Sequence, residues 1–505
     1  MIKKLLIGAL VLCSLNVWTQ NVTLRGRAVD YIGQQGAILV VEDFVSERRT
    51  VIAPFEVSET GQIQLELDLN HTAVIDVQIN GVVGRMIVEP GHEYEFAVPG
   101  LKGKQGRTLS ANRVDLEFGR QADNINLWIA QYNGEFETFF SQHAPDIAVA
   151  QYGQTSGYTR SRRARLSDTG LIPAEKEDTS KVVRPNFMDI VERFEDQTLK
   201  RHNLHMDNEF FHDYIRYSLA FAKLSAGFPK EELFNEYIEN REPKVANPEY
   251  CNFINGFYGN YFQSHAFAKR DIEILRAVNV SRKAYELDSV LSDHPYWSYG
   301  PARRVAIMSN LFYIYFQPSW DKTGIAATLE DCASSELFGK LQPVANNVLA
   351  EIRRGEKGYQ VEDYRFVNYN SEVFTNATYE GKYVYYFFTT SWCRSCVAEM
   401  KALDKLMVKY KNQVEFVLVS LDEDYLTYVE FVQSHTDFPG DILYGLTDPL
   451  VYEKFDVRTV PECVLISPDG KKIFDYTRKP SEGISLDLDK LVNRRPTGNA
   501  AGGRK

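Results

Sequence analysis

Two cysteines separated by two residues form the most reactive pattern in this chain. Cys393 and Cys396 follow an apolar run at 383–388 and introduce a segment with helical spacing at 394–410. We therefore expect Cys393 at the amino end of a helix, near unpaired backbone N–H groups and the positive end of the helix dipole. Both features stabilise a thiolate, the nucleophilic form of cysteine. Cys396, one turn further on, is placed to attack a mixed disulfide formed by Cys393.

The same cysteine pair has two alternative interpretations. A zinc site would need two more ligands, and this part of the chain offers only His435 and Cys463, without ligand spacing. We therefore expect no metal. A purely structural disulfide is the second alternative, and the strand–helix junction in a chain with an export-like start favours redox chemistry over it. Because sulfur alone carries such chemistry, no cofactor is expected.

Three polar residues near the pair could adjust its chemistry. Arg394 and Ser395 lie between the cysteines, and a cationic dipeptide there should favour the thiolate and raise the reduction potential. Glu399 lies one turn beyond Cys396, beside an apolar stripe of the helix. Such surroundings predict a raised pKa and a role in passing protons to or from Cys396. The alternative is a surface glutamate without a role.

A proline precedes an apolar run later in the chain. Pro461 follows Val460 and is followed by Glu462 and the apolar residues 463–466. Since proline cannot donate a hydrogen bond to a sheet, its place at a strand start indicates a constrained turn, either cis or trans. Cys463 lies within this apolar run, and we expect it to pack as a small buried hydrophobe.

The region from residue 361 to residue 491 resembles the thioredoxin superfamily, in particular the exported TlpA/ResA-type proteins. Trp392, Cys393 and Cys396 match the Trp-Cys-x-x-Cys motif of that family. The resemblance implies a thioredoxin-like fold, disulfide exchange with client proteins, and a substrate-contacting role for Trp392. It covers about a quarter of the chain, and the preceding parts resemble only vaguely the amino-terminal extensions of some envelope members.

The same resemblance assigns roles to three further residues. Pro461 matches the cis-proline that faces the cysteines, and Val460 matches the residue whose backbone holds the substrate. Glu399 matches the family's glutamate three residues after the second cysteine. Two positions depart from the pattern: Phe387 stands where thioredoxin has a buried aspartate, and Glu462 stands where threonine is common.

Peroxidase chemistry of the peroxiredoxin type is the nearest enzymatic alternative. Its Pro-x-x-x-Thr-x-x-Cys motif is half met, because Thr390 precedes Cys393 at the correct spacing but Tyr386 replaces the proline. We therefore expect an oxidoreductase of the thioredoxin type rather than a peroxidase.

Two further parts are predicted before the redox region. Residues 63–69 alternate apolar and polar side chains, as a half-buried strand does, and Asn80-Gly81 between apolar runs predicts a hairpin turn. Residues 187–194 have the apolar spacing of one helix face. We expect a multidomain chain with an N-terminal all-β domain, a central all-α domain and a C-terminal α/β domain. The C-terminal domain should contain a mixed sheet flanked by helices.

The elements of the C-terminal domain and the boundaries of all parts follow from these patterns. The expected elements are strands at 383–388 and 414–420, helices at 394–410 and 425–433, and a hairpin of strands at 462–467 and 471–476. The expected parts are a signal peptide (1–20), a β-sandwich-like domain (21–108), a helical domain (109–355) with a mobile loop (150–184), a thioredoxin-like domain (359–495) and a disordered tail (496–505).

The first residues have the pattern of an export signal. Lys3 and Lys4 precede an apolar run at 5–15, which is shorter than the roughly 20 apolar residues that span a bilayer. We expect a periplasmic or cell-envelope protein that is not transmembrane, with lipid attachment at Cys13 as the disfavoured alternative. The formal net charge of −11 argues against nucleic acid as a partner.

The sequence leaves the biological partners open. We expect disulfide-bearing client proteins and a membrane thiol that donates or accepts electrons, with reduction of clients preferred over oxidation. A second hypothesis makes the chain an envelope scaffold whose redox domain is a sensor or a structural module. The pairing of Cys251 with Cys332, both in the helical region, stays open as well.

Overall fold

The computed structural model describes residues 21–100, 112–119, 123–145, 187–265 and 272–492. Outside the described residues lie the expected signal peptide, Cys13, the loop at 150–184 and the tail at 496–505. Among the helices that the structure describes, none combines the length and the apolar character needed to cross a bilayer.

The amino-terminal part consists of strands, as the alternating sequence pattern predicts. They are β1 (Asn21–Arg27), β2 (Gln35–Val41), β3 (Arg49–Glu56), β4 (Gln62–Asp68), β5 (Ala73–Ile79), β6 (Val82–Val88), β7 (Glu93–Ala97), β8 (Asn112–Val114) and β9 (Glu117–Phe118). One sheet has the order β4-β1-β7-β9 and the other β3-β2-β5-β6-β8. The predicted hairpin at Asn80-Gly81 is confirmed: it joins β5 to β6 with Ile79 opposite Val82, and Asn80 has a φ of 48°.

The central part is helical. Its helices are α1 (residues 125–145), α2 (Phe187–Arg201), α3 (Glu209–Ala226), α4 (Lys230–Tyr237), α5 (Pro248–Tyr258), α6 (Tyr261–His265), α7 (Ile272–Arg276), α8 (Ala284–Ser292), α9 (Gly300–Tyr315), α10 (Lys322–Ser334) and α11 (Gln342–Arg353). Capping residues determine where several of these helices begin or end. At α3, the Asn208 side chain accepts the Phe211 N–H, and Gly227 ends the helix in the left-handed region.

The β and helical parts share one hydrophobic core. Buried apolar side chains form a continuous cluster that runs from Val22 in β1 to Ile352 in α11. The contact is also polar, since the Asn126 side chain of α1 bonds both backbone groups of Ile87 in β6. The two parts, although distinct in secondary structure, therefore support each other.

The C-terminal part has a mixed sheet with helices packed on it. Its strands are β10 (Phe366–Asn368), β11 (Val373–Phe374), β12 (Tyr383–Thr389), β13 (Val414–Ser420), β14 (Asp441–Tyr444) and β15 (Glu462–Ile466). Its helices are α12 (Arg394–Lys409), α13 (Tyr425–Gln433), α14 (Val451–Phe455) and α15 (Ile484–Val492). The strand order is β11-β10-β14-β13-β12-β15, with β12, β13 and β14 parallel and β15 antiparallel to β12.

Strand β12 is buried on both faces, which explains its uninterrupted apolar run. Alternate residues enter opposite cores: Tyr386 and Phe388 join one cluster, whereas Tyr385 and Phe387 join the other. Buried parallel strands have this composition because helices cover both faces of the sheet. The predicted strands at 383–388 and 414–420 and helices at 394–410 and 425–433 are thereby confirmed.

The predicted second strand of the hairpin, at 471–476, is wrong. Only isolated bridges form there, from Lys471 to Gln360 and from Lys472 to Ile466. The backbone of this segment divides its hydrogen bonds between two partners. In the linker after α11, the Gly358 N–H donates to Lys472 O at 2.7 Å and Tyr359 O accepts the Lys472 N–H at 2.9 Å, whereas in β15 Leu465 O accepts the Ile473 N–H at 2.9 Å. Strand β15 is consequently an edge of the sheet.

Candidate active site

The cysteine pair lies where β12 passes into α12. Cys393 is the residue that caps this helix, and its Sγ accepts the Cys396 backbone N–H at 3.1 Å. The two sulfurs form a disulfide. An N–H that points at the first sulfur will also stabilise a thiolate there after reduction. The sequence expectation for the position of Cys393 is confirmed.

The two cysteines differ in accessibility. Cys393 is 5% exposed, whereas Cys396 is fully buried at 0%. An incoming disulfide can therefore reach Cys393 but not Cys396. The geometry fits an attacking sulfur at position 393 and a resolving sulfur at position 396.

The residues around the pair form its rim. Trp392 is half-buried and packs against the apolar cluster that contains both cysteines. Arg394 and Ser395 are exposed. The Ser395 hydroxyl lies 3.3 Å from Cys393 Sγ, and because a disulfide sulfur carries no proton, the hydroxyl is the donor.

The loop before β15 approaches the pair from the neighbouring strand. The peptide bond between Val460 and Pro461 is cis, and Val460 packs against the same cluster as both cysteines. Phe387 lies directly opposite Cys463 in the sheet and is fully buried. Strand β12 therefore supplies an apolar ring, not a carboxylate, beneath the disulfide.

Glu399 is half-buried on α12 and is held by a neighbouring turn. Its carboxylate accepts the backbone N–H of Ser481 at 2.8 Å and also the Ser481 hydroxyl. In this oxidised state the carboxylate thus faces Ser481 and makes no hydrogen bond to a cysteine sulfur within the described part of the chain. Its predicted role in proton transfer stays a prediction.

Cys463 is a buried thiol in the core behind the pair. It is 2% exposed, and burial raises its pKa to about 12. A thiol that ionises only at such a pH is a poor nucleophile at neutral pH. Its position fits the expected small hydrophobe.

Sequence analysis did not identify one residue of the site. Asp422 follows β13 and is 2% exposed. Its carboxylate accepts the Ser391 N–H at 3.0 Å and the Ser391 and Ser420 hydroxyls at 2.8 Å. It anchors the loop that carries Trp392 and Cys393. The signal was available, because Asp422 and Ser391 follow the carboxyl ends of adjacent parallel strands, which meet at one sheet edge.

The other cysteines and histidines singled out above do not join this site. Cys251 and Cys332 are buried and free, so they do not pair in this structure. His435 caps its own turn by bonding Phe431 O at 2.8 Å. No cluster of three or more His, Cys, Asp or Glu side chains suited to a metal occurs within the described ranges.

The C-terminal part is similar to proteins that are already known. The family model described as thioredoxin-like matches residues 381–472. The thiol–disulfide oxidoreductase ResA of Halalkalibacterium halodurans is 26% identical over 155 residues, which cover 29% of this chain and 83% of that protein. ResA of Bacillus subtilis is 26% identical over 151 residues, which cover 30% of this chain and 83% of that protein.

Among solved structures, the thioredoxin domain of a thiol–disulfide oxidoreductase from Bacteroides vulgatus is 19% identical. The match covers 27% of this chain and 98% of that domain, with a TM-score of 0.25. The match to the family model includes the strand–helix junction with its cysteine pair. The C-terminal part of this chain thus has a thioredoxin-like fold, and its sequence is similar to thiol–disulfide oxidoreductases of the ResA type.

Proposed function

We propose that this chain reduces disulfides in client proteins of the cell envelope. The supporting observation is the capped cysteine pair, in which Cys393 is reachable and accepts the Cys396 N–H while Cys396 is buried. The envelope location is supported by the export-like pattern at residues 3–15.

The proposed reaction proceeds through two exchanges. The Cys393 thiolate attacks one client sulfur, a bond forms between them, the client disulfide breaks, and the other client sulfur leaves as a thiolate. The Cys396 thiolate then attacks Cys393 and releases the first client sulfur. The client gains two electrons and the domain keeps the Cys393–Cys396 disulfide. A membrane thiol donor is the proposed source of the electrons that reduce it again.

The proposed roles of the neighbouring residues follow from their positions. Trp392, Val460 and Pro461 form the rim that a client segment contacts, with the Val460 backbone holding it. Arg394 and Ser395 stabilise the Cys393 thiolate by charge and by a hydroxyl donor. We assign Glu399, one turn beyond Cys396, the proton that Cys396 loses before it attacks.

The test is a trapping experiment with Cys396→Ser. This variant should accumulate mixed disulfides between Cys393 and client proteins in envelope extracts, because the first exchange proceeds and the second cannot. The Cys393→Ser/Cys396→Ser variant is the control and should trap nothing. If Cys396→Ser also traps nothing, or if the biological effect survives loss of both cysteines, the scaffold hypothesis replaces this function.

The direction of electron flow has its own measurement on the same protein. Equilibration of the wild-type pair with glutathione buffers should give a reduction potential near that of thioredoxin, about −270 mV. A value near −120 mV would mean that the domain oxidises its clients.

A further inference from the structure

A cavity of about 300 Å³ lies at the end of the C-terminal sheet that is remote from the cysteine pair. Its walls include Val384 near the start of β12 and Ile466 at the end of β15. The residues of β12 beyond Val384 span roughly 17 Å, and Cys393 follows the far end of that strand. The cavity is therefore separate from the proposed active site.

The interior of this cavity is aromatic. Four buried rings line it, namely those of Tyr364, Tyr379, Tyr386 and Phe455. The Tyr386 ring is nearly perpendicular to those of Tyr364 and Tyr379, at 84° and 88°. Such an arrangement turns ring faces in different directions, and the face of an aromatic ring attracts a cation.

Two tyrosine hydroxyls of the cavity have unused hydrogen-bonding capacity. The hydroxyls of Tyr364 and Tyr386 bond each other, and neither has a second partner within the described part of the chain. Burial raises the pKa of both tyrosines, so both hydroxyls stay uncharged at neutral pH. Their free lone pairs can accept an N–H from a ligand.

The mouth of the cavity carries an excess of negative charge. Asp363, Glu380 and Asp469 line the cavity, whereas no lysine, arginine or histidine of the described chain does. Asp469 is neutralised by Lys471, at 3.0 Å. Asp363 and Glu380 are exposed, and neither carboxylate forms an ion pair or a hydrogen bond with a described residue.

The cations that flank this mouth do not supply the missing positive charge. Lys454 pairs with Asp448 at 2.8 Å, and Lys382 pairs with Glu415 at 2.9 Å. Arg365 does not line the cavity. Two carboxylates at the mouth are consequently without a counterion among the described residues.

We propose that this cavity binds an organic cation, namely a guanidinium group on a short apolar stem. The group donates hydrogen bonds to the carboxylates of Asp363 and Glu380, and the stem packs on the tyrosine rings. A guanidinium suits both contacts, because it is planar, stacks on aromatic rings and donates to carboxylates in pairs. A volume of about 300 Å³ accommodates one such group, either on a free small molecule or on an arginine side chain of a polypeptide.

The test compares two small ligands of nearly the same shape. Butylguanidinium is cationic, and butylurea is its uncharged counterpart. The full chain should bind butylguanidinium at least about ten-fold more tightly, since the rings and the carboxylates both favour a cation. Isothermal titration calorimetry measures both affinities, and the difference should shrink as salt is added. Equal affinities, or no binding of butylguanidinium, would overturn the proposal.

Three variants locate the binding, and circular dichroism should show that all of them fold. Asp363→Asn/Glu380→Gln should lose the preference for butylguanidinium over butylurea. Ala377→Trp, at an exposed position of the lining, fills the cavity without a change of charge and should abolish binding of both ligands. Asp404→Asn/Asp437→Asn has the same charge change as the first variant at exposed positions outside the cavity, and it should bind as the wild type does.

A third ligand identifies the source of the guanidinium group. N-acetylarginine methylamide carries the arginine side chain on a peptide backbone. An affinity within about ten-fold of that of butylguanidinium assigns the site to an arginine of a polypeptide, and a weaker one assigns it to a free small molecule. Unchanged binding of butylguanidinium in Asp363→Asn/Glu380→Gln or in Ala377→Trp would overturn the proposal. Disulfide exchange is measured separately, so a failure of the proposed function would not alter these results.

Discussion

At the scale of single residues, the two cysteines of the proposed redox pair differ in burial. Cys393 is slightly exposed and Cys396 is not exposed at all. The buried sulfur must lose a proton before it can attack, and bulk water does not reach it in this state. Glu399 lies one turn further along α12, held by Ser481. Because of this position, substitution of Glu399 tests the proposed proton transfer.

Substitution of Glu399 by glutamine should slow the second exchange. General acid–base catalysis contributes about 10²–10⁴-fold, so the mixed disulfide should persist at least about ten-fold longer in Glu399→Gln. The first attack by Cys393 should be unchanged. Rapid acid quenching after mixing with a disulfide-containing peptide measures both steps.

The control for this substitution is Glu380→Gln, at an exposed position before β12. It should release the peptide as fast as the wild type does. An equal lifetime of the mixed disulfide in Glu399→Gln and in the wild type would contradict the proposed proton transfer.

At the scale of elements, the loop that carries Trp392 and Cys393 is held in place by its contacts with the end of strand β13. Thr389 at the end of β12 lies opposite Ser420 at the end of β13. Asp422 then reaches across to the backbone and hydroxyl of Ser391. A buried carboxylate with several donors holds the loop in one place, because each bond to a charged group is strong and costly to leave unmade.

Substitution of Asp422 by asparagine should destabilise the protein and slow disulfide exchange. Hydrogen bonds to charged groups contribute roughly 1.5–3 kcal/mol each, and the amide cannot accept all three donors. We expect a loss of about 2–3 kcal/mol in the free energy of unfolding, measured by urea denaturation. Asp437→Asn, at an exposed position, should stay within about 0.5 kcal/mol of the wild type. Equal stability of the two variants would show that the anchor is unimportant.

At the scale of the whole molecule, a charged cluster joins all three parts. Arg48, between β2 and β3, pairs with Glu351 of α11 at 3.5 Å and with Glu362 of the C-terminal part at 3.2 Å. Arg354 also pairs with Glu351. The loss of hydration on burial outweighs the effect of the two arginines and raises the pKa of Glu351 to about 7. The nearby carboxylate of Glu453 acts in the same direction as burial.

This raised pKa predicts how stability depends on pH. The folded protein binds a proton at Glu351 more tightly than the unfolded chain does, so the stabilisation is complete below about pH 4.5 and is lost as the pH rises through about 7. At ~1.4 kcal/mol per pKa unit, the wild type should lose roughly 3 kcal/mol relative to Glu351→Gln across this range. Chemical denaturation at several pH values measures the difference.

Glu362→Gln provides a comparison of opposite sign. Despite its burial, Arg48 and the Tyr359 hydroxyl lower the pKa of Glu362. The wild type should therefore lose stability relative to Glu362→Gln as the pH falls below about 4.5. If both variants show the same pH dependence as the wild type, the cluster does not control the contact between the parts.

The redox site was largely predictable because its chemistry is local. A buried strand, two cysteines one turn apart and a helical segment are adjacent in sequence, so the position of Cys393 follows from spacing alone. The resemblance added Pro461, whose cis bond the structure contains. Asp422 was not foreseen, since its partner Ser391 is 31 residues away and the two meet only when β12 and β13 pair.

By itself, the sequence determined the classes of the three parts and the strand and helix around the cysteine pair, because periodicity and local propensity encode these directly. Only the tertiary structure decided that residues 471–476 form no strand, since their hydrogen bonds are divided between β15 and the linker at 358–361, which is more than a hundred positions away in sequence. Contacts of this kind depend on packing between elements, and no local pattern specifies them.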